Sequence, residues 1–191
     1  MNRESTAPRC FVAGVAVLIA ALPAVAADAA QPWGPTVNGL RMSVALSNDA
    51  TKGGEIRVTL QNPGDKDILV PLGITVGKAH PTLLKITLKT PDGAPPRVIY
   101  TGVGVVAGYA EAMTIGLSAG EAYTISTPVD LYYVLDSSEK LATFIGRRCR
   151  LWVELDVNEN QCPNPSTLDS LRRKPPCWYG KALSNVLQLP K

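Results

Sequence analysis

The clearest alternation in the chain runs over residues 147–157. Cys149, Leu151, Val153, Leu155 and Val157 fall on one face of an extended strand, and Arg148, Arg150, Trp152, Glu154 and Asp156 on the other. Period-two alternation of this length is the pattern of a strand that buries one face and presents the other. Shorter copies recur upstream. Leu40, Met42, Val44 and Leu46 alternate with Arg41, Ser43 and Ala45, and Ile56, Val58 and Leu60 with Arg57, Thr59 and Gln61. Leu84, Ile86 and Leu88 alternate with Lys85, Thr87 and Lys89. Ile68, Val70 and Leu72 mark another strand, in which Pro71 has no N–H to donate and so calls for a sheet edge or a bulge. Further strands are expected over 97–101, around Met113, Ile115 and Leu117, at Tyr123 and Ile125, along the extended stretch 129–135, and in the closing segment 177–189.

Turn chemistry separates these segments: Asn, Asp and Gly over 48–54, Asn62-Pro-Gly-Asp over 62–65, and Pro-Asp-Gly over 91–93. One helix is expected. Asp136, Ser137, Ser138 and Glu139 read as a capping box ahead of Leu141 and Ile145, with Gly146 placed to end the helix. Strands about ten residues apart with turns between them predict an all-β antiparallel sandwich of about eight to nine strands, with one short helix near 137–145. No repeat of fixed period is present.

Residues 1–26 are expected to be a signal peptide. Arg3 and Arg9 precede an apolar run from Phe11 to Leu22, followed by Pro23 and the small-residue site Ala24-Val25-Ala26. The run is too short for a bilayer span. Cys10 precedes it, where a lipoprotein cysteine would follow; an uncleaved anchor is the alternative. This divides the chain into the signal peptide, an extended leader over 27–36 that either docks through Trp33 and Gly34 or serves as a tether, and a sandwich domain over 37–191. The exported product, periplasmic or extracellular, has no later membrane span. The formal charge of +3 becomes +2 once Arg3, Glu4 and Arg9 are removed, too little to imply a nucleic-acid partner.

Three cysteines then remain. Cys162 and Cys177 enclose a proline-rich loop that a disulfide would restrain by about 3 kcal/mol, leaving Cys149 as a buried thiol. The other possibility is a Cys149 bridge across the sandwich. The chemistry-bearing residues are few. His80, the only histidine, is expected to be an exposed loop residue before Pro81. One histidine and cysteines without Cys-x-x-Cys spacing give no zinc site. Asp156-Val-Asn-Glu-Asn160 opens like a calcium loop, but Gln161 replaces the required glycine and Thr167 the bidentate glutamate. Gly102-Val-Gly104 leads into no helix and makes no phosphate loop. Neither cofactor nor metal is expected. Glu154 and Asp156 share a strand face about 7 Å apart, loosely a hydrolase spacing, and a solvated strand face accounts for them equally well.

Three short stretches carry a resemblance. Gly54-Glu-Ile-Arg-Val-Thr-Leu-Gln-Asn-Pro-Gly-Asp-Lys-Asp67 resembles the strand, Asn-x-Gly, strand hairpin near the start of bacterial immunoglobulin-like sandwiches. Leu117-Ser-Ala-Gly-Glu121 is similar to their mid-chain turn. Trp178-Tyr-Gly-Lys-Ala-Leu-Ser-Asn-Val-Leu-Gln-Leu189 is similar to their closing strand. The resemblance implies an immunoglobulin-like fold and a role as an adhesion or appended module, with one branch acting as proteinase inhibitors; it supplies no catalytic set. The proline-rich loop over 158–176 departs from the short versions of that fold.

The expected function is therefore a non-enzymatic, exported binding module for a protein or envelope component. Its candidate contacts are Trp152 and the loop residues Leu168, Arg172 and Arg173, since arginine and tryptophan are enriched at binding hot spots. The alternative is a protease inhibitor displaying the Cys162–Cys177 loop. The remote alternative is a hydrolase using Glu154 and Asp156.

Overall fold

Alternating side chains become alternating burial in the computed structural model, which describes residues 32–47, 54–75, 80–101, 111–162 and 175–189. Within them are β1 (Arg41–Ser47), β2 (Glu55–Gln61), β3 (Ile68–Thr75), β4 (Leu84–Lys89), β5 (Arg97–Thr101), β6 (Glu111–Leu117), β7 (Ala122–Pro128), β8 (Tyr132–Val134), β9 (Arg150–Val157), β10 (Gly180–Leu183) and β11 (Leu187–Gln188). These eleven strands form three antiparallel sheets, β1-β2-β7, β3-β6, and β10-β9-β4-β5-β8 with β11 also on β9. The architecture is all-β and sandwich-like. The strand number exceeds the expected eight to nine partly because the closing segment breaks at residues 184–186 into β10 and β11.

β9 lies inside the largest sheet, between β4 and the edge formed by β10 and β11. Leu151, Val153, Leu155 and Val157 are buried, while Arg150 and Asp156 are exposed. Each such aliphatic side chain contributes roughly 2 kcal/mol over an exposed one. They join one continuous core with Leu40, Met42, Val44, Ile56, Val58 and Leu60 from the three-stranded sheet. Pro71 marks a bulge, with the β3–β6 register shifting between Pro71 and Gly73.

The seam between the sheets is held by side chains. The Asn185 amide accepts from the Val44 N–H at 2.7 Å and donates to the Val44 carbonyl at 3.1 Å, covering the edge of β1 that β2 leaves open. Trp178 Nε1 donates to the Val37 carbonyl, and Asn38 Nδ2 to the Tyr179 carbonyl. All of these span the same sequence separation, 141 residues, so 178–185 runs parallel to 37–44. The leader joins the seam. Gly34 N–H donates to the Met42 carbonyl, and a Cβ at Gly34 would lie 2.0 Å from the Leu183 carbonyl oxygen, so no larger residue fits. Ser43, on the outward side of the β1 alternation, is consequently buried, its Oγ donating to the Pro32 carbonyl.

The helix expected near 137–145 does not form. A single 3-10 turn, Leu141–Phe144, occupies the segment and starts from an extended Lys140 with no side-chain cap. The capping-box residues build a tight turn instead: Asp136 takes φ 63°, the Ser137 hydroxyl accepts from the Glu139 N–H, and Lys140 bridges back to Tyr133. Only Leu141 and Phe144 are buried in the turn, a three-residue spacing that one 3-10 turn satisfies.

Candidate functional site

Register decides which outward side chains meet at the centre of the six-stranded sheet. Lys85 lies opposite Glu154, Thr87 opposite Trp152, and Lys89 opposite Arg150. Glu154 is 3.0 Å from Lys181 Nζ, and Asp156 lies opposite Lys181 in β10. The two carboxylates of the hydrolase reading thus have Lys85 and Lys181 as cross-strand neighbours. Trp152, half-buried, separates this balanced end from one that is all cationic.

At that second end Lys89 and Arg150 form a like-charge cross-strand pair, an arrangement that is destabilising on its own. With Arg148, Thr90, Gln188 and Leu189 they line an open cleft of about 620 Å³. None of the three cations is in an ion pair among the described residues. Arg148 has φ 54°, a left-handed backbone that costs an L-residue roughly 1 kcal/mol. Its turn is clamped from the closing segment: Gln188 Nε2 donates to the carbonyls of Arg148 and Cys149 at 2.6 and 3.1 Å, and Leu189 N–H donates to Cys149 as well. This arrangement can hold an anion.

His80 corrects the sequence reading. Expected as an exposed loop residue, it is 8% exposed and packed edge-on against Tyr132. The reason is its neighbours: Pro81 is buried with it, and Leu84 then enters the core. His80 Nδ1 lies 3.0 Å from the Tyr132 hydroxyl. Burial lowers the imidazole pKa from 6.5 to about 4. Burial also pushes the Tyr132 phenol upward, against a hydrogen bond with Thr127 that acts the other way. His80 Nε2 is buried without a hydrogen-bond partner among the described residues. His80, Tyr132 and the start of β4 line a second cleft, of about 440 Å³. A histidine before a proline between apolar runs was the one local signal; nothing in the sequence pairs it with Tyr132, 52 residues away.

Cys162 and Cys177 are bridged, with Cα atoms 5.9 Å apart, and Cys149 is free and buried. Burial raises the Cys149 thiol pKa, Arg147 opposes that rise and Asp92 adds to it. The base of the disulfide loop is anchored: Leu69 N–H donates to the Pro176 carbonyl and Trp178 N–H to the Leu69 carbonyl. Leu168, Arg172 and Arg173 lie outside the described residues. The stretch read against a calcium loop is a capped turn, in which Asn158 accepts from Asn160 N–H and Gln161 accepts from Asn158 N–H. No group of three or more metal-ligating side chains occurs among the described residues.

No protein-family model, curated protein or solved structure matches the chain, so its family is not assigned and the site stands on its own geometry.

Proposed function

We propose that the protein is an exported, non-catalytic binding module of immunoglobulin-like type that recognises an anionic group on a protein or envelope component. The observation that carries this reading is the pair Lys89 and Arg150, without an ion pair among the described residues and held in register with the clamped Arg148 beside them. A ligand that supplies the counter-charge would relieve the repulsion of this pair, and arginine pairs with carboxylate or phosphate in bidentate geometry. Trp152, one row away on the same face, adds an aromatic contact of the kind enriched at binding hot spots. Export is supported by the character of residues 1–26 and by the disulfide, which belongs to oxidising compartments.

The test is capture from envelope extract by tagged residues 27–191, beside a Lys89→Glu/Arg150→Glu variant and a Lys66→Glu control in the exposed turn before β3. The expected result is a partner held by wild type and control, released by moderate salt, and lost by the double variant. Equal capture by all three would overturn the basic cleft as the site.

A second reading has its own observation. The Cys162–Cys177 bridge has an anchored base, as an inhibitor needs in order to display a segment to a protease. It requires that reduction abolish inhibition of a target protease while the β-structure survives; inhibition that outlasts reduction would remove it.

A further inference from the structure

We propose that the cleft over His80 binds a small carboxylate with an apolar aryl or alkyl body and a hydroxyl or carbonyl group at the end remote from the carboxylate. More than nine in ten buried polar groups in folded proteins have a partner, yet His80 Nε2 has none among the described residues while Tyr132 occupies the other ring nitrogen. That hydrogen bond fixes the ring and leaves Nε2, enclosed by the described residues, as the one ring atom with hydrogen-bonding capacity to spare. Its charge state narrows the choice. The imidazole is neutral at ordinary pH, so it matches an uncharged hydroxyl or carbonyl and not a second charge.

The rest of the cleft describes the remainder of the molecule. Ile74, Pro81, Leu84 and Ile99 supply apolar walls, and a volume of about 440 Å³ falls in the range of small-molecule sites. Lys85, exposed, supplies the cation. Glu154, its cross-strand neighbour, is engaged by Lys181 at 3.0 Å, so the Lys85 ammonium is available to an incoming carboxylate. One apolar body between one neutral hydrogen-bonding group and one cation is the complement of a short amphipathic acid. This site lies at the opposite end of β4 from Lys89 and does not depend on the basic cleft.

The test uses the chain's single histidine, whose ring nitrogens are observed without ambiguity by long-range proton–nitrogen NMR on the intact domain. The probes are 4-hydroxyphenylacetate and phenylacetate. The expected result is a saturable shift of the Nε2 resonance with the hydroxylated acid and about five- to ten-fold weaker binding of phenylacetate, the worth of one hydrogen bond. Lys85→Gln, at an exposed position, should weaken both acids several-fold and leave their ratio unchanged. Ring resonances indifferent to both acids at millimolar concentration would mean that neither reaches Nε2, and the proposal would fall. Binding insensitive to Lys85→Gln would equally overturn it.

Discussion

At one end of β4, Lys85 looks across at Glu154, and the chain just before the strand buries a neutral imidazole. At the other end, about 14 Å away along the strand, Lys89 looks across at Arg150 with Arg148 beside them. Both ends belong to one pair of strands with one alternation, yet they handle charge in opposite ways. Where the chain is buried, the titratable group gives up its charge and takes a phenol as partner. Where it is open, three cations lie together with no ion pair among the described residues. The neutral end bears on stability, and the charged end carries a cross-strand repulsion that solvent and salt screen.

The largest effect that would sharpen this contrast is acid sensitivity at the neutral end. His80 has a folded pKa of about 4 against 6.5 unfolded, so between those values the unfolded chain binds the extra proton. Its contribution is intact above pH 6.5, falls as pH drops toward 4, and does not change further below that. At about 1.4 kcal/mol per unit the loss approaches 3 kcal/mol. Urea unfolding at pH 7 and pH 4.5 should show most of it, and a His80→Gln variant should flatten that dependence. An unchanged slope in the variant would place the acid sensitivity elsewhere.

Next in size, Tyr132→Phe removes the phenol that serves His80 Nδ1 and should cost about 1–3 kcal/mol, read by the same unfolding experiment at neutral pH. The charged end predicts the reverse sign. Lys89→Glu replaces repulsion across the strand pair by attraction and should stabilise the domain by roughly 0.5 kcal/mol while weakening capture of an anionic partner. A stability gain with capture intact would separate the repulsion from recognition. The smallest effect belongs to Lys181→Ala. It breaks the pair with Glu154, but Lys181 is more than half exposed, so a few tenths of a kcal/mol at low salt is the expected loss.

The parts of this comparison were unequally legible in the sequence. Alternation placed every inward and outward residue of β9 on its proper face, because a strand's period is local. It could not say that β4 is β9's neighbour or that Lys89 meets Arg150, since register across some sixty residues leaves no mark in either strand alone. The buried His80 and the buried Ser43 escaped because alternation does not show what packs over an outward or loop residue, Tyr132 from 52 residues away in one case and Pro32 from the leader in the other. The helix near 137–145 failed because capping chemistry also builds turns, and two buried side chains could not sustain a longer amphipathic face. The short motifs of the closing segment proved structural in detail. Trp178 and Asn185 hold the first strand, and Gly180, at φ 139°, sits where a Cβ would approach Asn38 Nδ2 at 3.2 Å.

That closing segment has a consequence in time as well as in space. A chain leaves the ribosome amino end first, so β1 and β2 are free to meet early. The carbonyl of Val37 and both backbone groups of Val44, however, await partners made 141 residues later. No nascent piece of this domain can finish its first strand, and acquisition of the native state has to follow completion of the polypeptide. Contacts of such separation close slowly. A stop codon anywhere before Trp178 would therefore be felt first at the opposite terminus, as a bare edge on β1.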